Sequence, residues 1–307
     1  MNYQWYPGHM TKAKRMMQEN IKLIDLVIEL VDARIPLSSR NPDIDELSKN
    51  KFRMILLNKA DLADSRYNKE WAEYFKEKGF SVVEVNSKSG AGLKSIQGAV
   101  QEVCRDKFER DRKRGIVNRP VRAMVVGIPN VGKSTFINSF AGKACAKTGN
   151  KPGVTKGKQW IRLNKGLELL DTPGILWPKF EDQKTGMRLA FIGSMNDDIL
   201  HMDELALELI RFLQQHYAGL LEKRYGLDEA MAGGDFDGVR KGEEDEIGKR
   251  TALEEWQKDA LGMLNRIGES RHCYSKGEEL DLERAAGIVV DDFRSGKLGR
   301  ITLEFPV

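Results

Sequence analysis

The segment Gly127-Ile-Pro-Asn-Val-Gly132-Lys133-Ser134 restricts the possible folds of this chain more than any other feature. It has the spacing GxxxxGK[ST], follows the apolar run Val121–Val126 and precedes a segment that opens a helix. Glycines let such a loop curl so that successive N–H groups converge on phosphate oxygens, and the helix N-terminus favours an anion. The pattern therefore predicts a phosphate-binding loop between a strand and a helix.

The residue types within this loop predict how a nucleotide is held. Lys133 is expected to reach the β- and γ-phosphates, and the Ser134 hydroxyl is expected to ligate Mg²⁺. The further positions predicted to bind the nucleotide here are Asn130, Val131, Gly132 and Thr135. A Gly-rich turn without a ligand is the alternative, and the flanking strand and helix patterns disfavour it.

Short β-branched runs alternate with helical patterns through about residue 175. Such alternation predicts an α/β fold, with a mostly parallel sheet covered by helices on both faces. The candidate strands are Leu26–Val31, Arg53–Leu57, Ser81–Val85, Val121–Val126, Gln159–Leu163 and Leu167–Leu170. Predicted helices include Lys69–Lys78 and Leu93–Phe108, and the charged stretch Arg105–Pro120 is interpreted as a helix end followed by an exposed connection.

The strand signal fades after Trp177, which predicts two domains, residues 1–178 and a smaller all-α domain over 179–307. Asp203–Tyr217 and Ala252–Ile267 have the apolar spacing of helices. Between them, residues 232–248 are Gly-rich and charged, which predicts a long or poorly ordered loop.

Two further motifs surround the expected γ-phosphate. Asp171-Thr-Pro-Gly174 follows an apolar strand, so Asp171 can hold Mg²⁺ through water and the Gly174 N–H can sense the γ-phosphate. Thr155, within Pro152–Gly157, is the candidate for the second protein ligand of Mg²⁺; an ordinary loop threonine is the alternative.

The segment Asn58-Lys59-Ala60-Asp61 follows another candidate strand. A carboxylate such as Asp61 can accept from both N1–H and the 2-amino group of guanine, a donor pair that adenine lacks. Lys59 is expected to lie along the base, Asn58 to tie the loops together, and Asn86-Ser87 to close over the guanine. These motifs together predict binding of GTP and GDP.

The order of the motifs is unusual, because the guanine motifs precede the phosphate motifs. A GTPase usually presents the phosphate loop first. The site requires only that the loops meet at the C-terminal edge of one parallel sheet, so a circular permutation keeps it intact. The charged stretch at 105–120 would then join the usual termini.

With QWYPGHM at the start and DARIPLSSRNP at Asp32–Pro42, this order resembles the YlqF/RbgA family of circularly permuted ribosome-assembly GTPases. The resemblance covers about residues 3–178, and a helical tail of this length fits the family. It implies a GTPase that binds the maturing large ribosomal subunit and its rRNA, with the tail contacting RNA or the ribosome. It also implies hydrolysis that is slow in the isolated protein and faster on the subunit.

The resemblance also implies two features of hydrolysis. Ile175 occupies the position after Gly174 where many GTPases carry a glutamine, and its apolar side chain cannot orient water. In the family this role is attributed to the histidine of PGHM, here His9; a packing role is the alternative. Asn130 corresponds to an asparagine that helps hold a K⁺ ion near the phosphates in similar GTPases.

Composition narrows the remaining possibilities. The chain is 40% hydrophobic and 31% charged, has a net charge of +4, and contains no apolar stretch long enough for a membrane span. Its N-terminal stretch lacks the apolar segment of a signal peptide, so we expect a cytoplasmic protein. Its three cysteines lie far apart, so we expect no zinc site. We also expect a monomer. Two basic clusters could bind RNA or merely face solvent: Lys12, Lys14 and Arg15, and then Lys143, Lys147, Lys151, Lys156 and Lys158.

Two other functions fit the same motifs. One is a nucleotide-dependent RNA-binding module with little turnover, in which Ile175 marks lost catalysis. The other is a GTPase that acts on another RNA, such as tRNA.

Overall fold

A six-stranded sheet, with strand order β3-β2-β1-β4-β6-β5, forms the centre of the fold. The computed structural model describes residues 8–117, 119–145, 159–164, 166–177, 182–227, 259–277 and 279–306. The strands are β1 (Leu26–Asp32), β2 (Phe52–Asn58), β3 (Ser81–Glu84), β4 (Val121–Val126), β5 (Gln159–Asn164) and β6 (Leu167–Asp171). Neighbouring strands are parallel except β5, which is antiparallel to β6. The predicted mostly parallel sheet is confirmed.

The helices of the sheet-containing part pack beside these strands. They are α1 (Gly8–Asn20), α2 (Pro42–Leu47), α3 (Ser65–Glu77), α4 (Leu93–Val103), α5 (Arg105–Lys113), α6 (Lys133–Ala141) and α7 (Gln183–Phe191). β1 is buried along its whole length because its apolar side chains are covered on both faces of the sheet. Because β1, β2, β4 and β6 are parallel, their carboxyl ends meet at one edge of the sheet, where the predicted motifs lie.

The prediction of one helix over Leu93–Phe108 is wrong, because the chain turns at Cys104, which has φ −92° and ψ 14° and separates α4 from α5. Much of the stretch interpreted as an exposed connection is in fact α5. A buried ion pair between Lys107 and Asp111 spans one turn of this helix at 2.8 Å and stabilises it.

The chain divides into two compact units, Met1–Asn196 with Arg300–Val307, and Asp197–Gly299. This division differs from the predicted boundary after residue 178. Helix α7 belongs to the sheet-containing unit, where its Arg188 donates to Ser38 Oγ at 3.2 Å and pairs with Glu304 at 2.9 Å. The segment from Arg300 onward also returns to the first unit, through hydrogen bonds described below.

The described part of the second unit is helical, as predicted, apart from one isolated bridge between Tyr274 and Leu280. It contains α8 (Met202–His216), α9 (Leu220–Tyr225), residues 259–270 and α10 (Leu282–Ser295). Residues 232–248 and the first part of the predicted helix Ala252–Ile267 lie outside the described residues. Within the ranges that the structure describes, no helix combines the length and apolar character needed to cross a bilayer.

Candidate nucleotide-binding site

The phosphate-loop segment connects β4 to α6 through a backbone that only certain residues can adopt. Gly127 has φ 149°, Asn130 has φ 60° and Gly132 has φ 95°, all in the region that favours glycine or asparagine. A Cβ at Gly127 would lie 2.6 Å from the Leu30 carbonyl oxygen, and one at Gly132 would lie 2.6 Å from Asn58 Nδ2. The two glycines are therefore required for the close approach of this loop to β1 and β2.

Lys133 lies at the first turn of α6 with its side chain folded under the loop. Its Nζ donates to the carbonyl oxygens of Gly127, at 2.9 Å, and Ile128, at 2.7 Å. Burial lowers the pKa of this amine to about 8, although the carboxylate of Asp171 acts in the opposite direction. The loop thus places a buried, positively charged group at its centre, where phosphate oxygens are expected to bind.

The segment Asp171–Gly174 packs directly against this loop. Thr172 Oγ1 donates to the Val125 carbonyl oxygen at 2.6 Å and fixes the segment at the end of β4. A Cβ on Gly174 would lie 2.8 Å from Lys133 Nζ and 2.9 Å from two backbone atoms of Pro129. Any side chain at position 174 would therefore displace the phosphate loop, and glycine is needed for this approach.

The residues around Asp171 suit a divalent cation. Oδ1 of Asp171 is buried and accepts no hydrogen bond from the described residues, and burial raises the pKa of this carboxyl to about 6. Buried carboxylates are usually paired or bound to metal, and Mg²⁺ prefers oxygen ligands. Asp171 and Ser134 are therefore a chemically appropriate donor set, whereas Thr155, the other predicted ligand, lies outside the described residues.

Asn58 joins three loops that are far apart in sequence. Its Nδ2 donates to the Val131 carbonyl oxygen at 2.6 Å, and its Oδ1 accepts from the Ser87 N–H at 3.0 Å and from Ser87 Oγ at 2.8 Å. Asn58 and Ser87 are both buried. A single amide therefore fixes the predicted guanine-binding loops relative to the phosphate loop.

Lys59 provides a second connection between the same loops. It has φ 58°, and its Nζ donates to the Asn130 carbonyl oxygen at 2.8 Å and pairs with Asp32 Oδ2 at 2.9 Å. Arg34 binds the same carboxylate through two nitrogens, each at 2.9 Å. Burial alone would raise the pKa of Asp32, but Arg34 and Lys59 together hold it well below its usual value.

The rest of the predicted guanine pocket lies beside this network. Asp61 is exposed, whereas Ala60 is partly buried and donates its N–H to the Val85 carbonyl oxygen at 3.2 Å. Asn86 shapes its own turn, since its Oδ1 accepts from the N–H groups of Lys88 and Ser89. The carboxylate of Asp61 is consequently accessible to a base held by the loops that Asn58 and Lys59 fix.

Residues after α7 hold the phosphate loop from its other side. Asn130 Nδ2 donates to the Gly193 carbonyl oxygen, and Ser194 Oγ donates to the Pro129 carbonyl oxygen at 2.7 Å. Gly193 and Ser194 were not predicted as site residues, because no sequence motif marks them. Asp32 and Arg34 lie in a segment that was recognised only for its family resemblance, although an Asp-x-Arg pair at the end of a predicted strand could have indicated their role.

His9 lies in the first turn of α1, and its side chain is not among the described ones. Ile175 is buried, and its carbonyl oxygen accepts from Asn41 Nδ2 at 3.2 Å, so its apolar side chain serves packing. A cavity of about 180 Å³ is lined by Ile175 together with residues of α1 and α2, including Lys14 and Asp43. The helix that carries His9 thus lies beside the segment that follows Gly174.

Comparisons with known proteins give relatives over the whole length of the chain. Residues 122–226 match the family described as 50S ribosome-binding GTPase. The chain is 46% identical over 306 residues to ribosome biogenesis GTPase A of Bacillus cereus, covering 100% of this chain and 95% of that protein. The protein of the same name from Priestia megaterium is 44% identical over 307 residues, covering 100% of this chain and 98% of the relative.

Solved structures show the same fold. A structure described as GNP-bound YlqF from T. maritima has a TM-score of 0.60 at 25% identity, covering 96% of this chain and 98% of that one. A GDP-bound structure of TM YlqF has a TM-score of 0.62 at 24% identity, covering 94% and 98% of the two chains. Full-length identity to curated relatives, together with the arrangement of the phosphate and guanine motifs, leads to one conclusion: the chain belongs to the ribosome biogenesis GTPase A (YlqF/RbgA) family of GTP hydrolases.

Proposed function

We propose that this GTPase binds the maturing large ribosomal subunit in its GTP state and leaves after hydrolysis. The observation that carries the nucleotide part is the Asn58 junction, which brings the guanine-binding and phosphate-binding loops to one place. The ribosomal part is supported by the family matched over residues 122–226, described as 50S ribosome-binding GTPase. It is also supported by curated relatives named for ribosome biogenesis.

Nucleotide binding would use groups that the fold already holds in position. Lys133 would exchange its two carbonyl acceptors for phosphate oxygens, a stronger charge-assisted interaction. The backbone N–H groups of residues 130–135 would surround the phosphates, and Asp61 would accept from the guanine edge. Ser134, Thr155 and Asp171 would hold Mg²⁺, which would neutralise charge developing on the phosphates.

GTP binding would also act on the segment that follows β6. Gly174 packs against Pro129 and Lys133, so a γ-phosphate held at this point would act directly on the residues after β6. Because Ile175 is buried and apolar, the group that orients the attacking water must come from another segment. We assign this role to His9, which is carried by the first turn of α1.

The basic clusters would contribute to RNA binding unequally. In the first cluster, Lys14 pairs with Asp43 at 2.9 Å and Arg15 lies 3.6 Å from Glu19, which leaves Lys12 more available for an RNA phosphate. Lys143 of the second cluster is exposed, and its other members lie outside the described residues. Binding through such groups should weaken as the salt concentration rises.

Purified large ribosomal subunits are expected to accelerate GTP hydrolysis by the protein, and His9→Ala should remove most of that acceleration. A positioned general base contributes roughly 100-fold or more, so the variant should fall by about 100-fold on the subunit. Phosphate release by wild type and variant, each with and without large subunits, measures the effect. Nucleotide affinity should be the same in both proteins.

The matched control is His216→Ala, which changes a histidine at the end of α8 in the second unit. A rate that subunits leave unchanged would contradict the proposal and favour a binding module with little turnover. Co-sedimentation with free tRNA instead of large subunits, tested in GDP and in a non-hydrolysable GTP analogue, would favour a GTPase acting on another RNA.

We further propose that K⁺ stimulates hydrolysis through Asn130. The place of Asn130 within the phosphate loop, where the Gly193 carbonyl oxygen holds its side-chain amide, supports this assignment, because a nearby monovalent cation would offset charge on the phosphates. Turnover in K⁺ buffer is expected to exceed turnover in Na⁺ buffer at equal ionic strength by about 10-fold. Equal rates in the two buffers would exclude this role.

A further inference from the structure

The C-terminal segment, residues 300–306, is bonded to the chain that follows the guanine motif. The Ile301 N–H donates to the Leu62 carbonyl oxygen at 3.0 Å. The Asp64 N–H donates to Thr302 Oγ1 at 3.1 Å. Leu62 is the residue directly after Asp61, so the end of the chain holds the guanine-binding loop at its immediate C-terminal side.

The same segment also holds the loop that follows β1, residues 33–40. The Leu303 N–H donates to the Arg34 carbonyl oxygen at 2.8 Å. The carboxylate of Glu304 accepts from the N–H groups of Leu37, at 2.7 Å, and Ser38, at 2.9 Å, and from Ser38 Oγ at 2.7 Å. Glu304 and Ser38 are each only 5% exposed, so removal of the Glu304 carboxylate would leave the buried donors of Ser38 without their acceptor.

Three other contacts fix Glu304 and its neighbour. Arg188 pairs with the Glu304 carboxylate at 2.9 Å. Trp71 Nε1 donates to the Glu304 carbonyl oxygen at 2.9 Å, and Phe305 lies against Tyr67 with ring centroids 4.7 Å apart. The segment is therefore anchored on α3 and α7 as well as on the two loops, and it has one defined position.

The two loops that the segment connects meet at Lys59. Asp32 is the last residue of β1, directly before residues 33–40, and its carboxylate binds both Arg34 and Lys59. Lys59 in turn donates to Asn130 in the phosphate loop. A shift of residues 33–40 would move Arg34, which shares the Asp32 carboxylate with Lys59. Loss of the bond to Leu62 would release the chain next to Asp61.

We propose that residues 300–306 position the guanine-binding loop, and that Glu304 is the main positioning residue. Glu304 does not touch the nucleotide in this account; it acts through residues 33–40 and Lys59. The inference rests on the proposed recognition of guanine by Asp61. It gives the last residues of the chain, which lie more than 200 positions after the guanine motif, a part in nucleotide affinity.

Glu304→Ala in the full-length protein tests the inference. The dissociation constant of GDP, measured by calorimetry, and the KM for GTP are both expected to rise about 10-fold, because buried donors lose their acceptor and the loops shift. The kcat at saturating GTP should change by less than about 2-fold, because the bonds that hold Lys133 and the segment after Asp171 do not involve Glu304 or residues 33–40. A role limited to folding would lower the melting temperature without this separation of KM from kcat.

Glu304→Gln is the conservative variant, since its amide oxygen can still accept from one of the donors; we expect a loss of GDP affinity of about 3-fold. Glu77→Ala removes the same charge from an exposed position of α3 and is the matched control. Thr302→Val is the second test if Glu304→Ala fails to fold, because it removes only the acceptor of the Asp64 N–H. We expect this folded variant to bind GDP about 3-fold more weakly than the wild type.

Asp61→Asn separates failure of this inference from failure of the guanine assignment. If Asp61→Asn changes the base preference while folded Glu304→Ala and Thr302→Val bind GDP within about 2-fold of wild type, the positioning role is excluded. If Asp61→Asn leaves the base preference unchanged, the guanine assignment fails first. The inference is supported if Glu304→Ala also weakens the binding of xanthosine diphosphate to the Asp61→Asn protein, by the same factor as it weakens the binding of GDP to the protein with Asp61.

Discussion

Lys133→Ala is expected to lower GTP affinity and turnover by about 1000-fold, the effect of removing a preorganised charged donor from a buried site. Lys133 is only 8% exposed, and its Nζ lies within hydrogen-bond distance of Gly127 and Ile128 in the phosphate loop. Lys59 is not expected to replace the lost amine, because its Nζ is already bound by Asp32 and the Asn130 carbonyl oxygen. Calorimetry with GDP and phosphate release from GTP measure the two losses.

Lys143→Ala provides the control for this substitution, because Lys143 lies two residues beyond α6 and is exposed. It should bind GDP as the wild type does. Circular dichroism must show that Lys133→Ala is folded, and the fold should tolerate the change because only an amine and its stem are lost. A folded Lys133→Ala protein with normal turnover would mean that residues 127–134 do not bind the phosphates.

Asp61→Asn should lower GTP affinity by about 1000-fold and transfer the preference to xanthosine triphosphate. A carboxylate accepts from both N1–H and the 2-amino group of guanine, whereas an amide presents a donor to one of them and leaves a polar pair unsatisfied. Xanthine carries an oxygen at that position and restores the pair. Competition between the two nucleotides for the purified variant measures the change.

Asp106→Asn is a matched control, because Asp106 lies in the first turn of α5 and is exposed. Its preference for GTP should be that of the wild type. A variant of Asp61 that continued to prefer guanine would show that base recognition depends on other groups, such as the backbone near Asn86 and Ser87.

The sheet was predictable from sequence because its strands carry a local signal. Apolar β-branched runs bounded by polar turns place each of the six strands within a residue or two of its observed ends. Helix boundaries were harder to predict, because no Gly or Pro in the sequence marks the break at Cys104 between α4 and α5. Arg105–Lys113 consists almost entirely of charged residues, so it lacks the apolar spacing that predicts a helix. The ion pair between Lys107 and Asp111 within this helix was found only in the structure.

In the candidate site too, features encoded by local motifs were predictable, whereas contacts between distant segments were not. Glycines 127, 132 and 174 were predictable from motifs, since each motif encodes the close approach that its backbone must allow. The partners of the loops were not. Gly193 and Ser194, which hold the phosphate loop, and Glu304, which holds residues 33–40, are separated by long stretches of chain from the groups they bind.

The phosphate loop, the guanine motif and their permuted order were predictable from the amino-acid sequence, because each depends on a few residues at fixed local spacing. The assignment of each segment to one of the two compact units required the three-dimensional structure. Residues 300–306 return to the sheet-containing unit because their backbone groups and Glu304 find buried partners there. Such partners are set by long-range packing, and no short stretch of sequence encodes them.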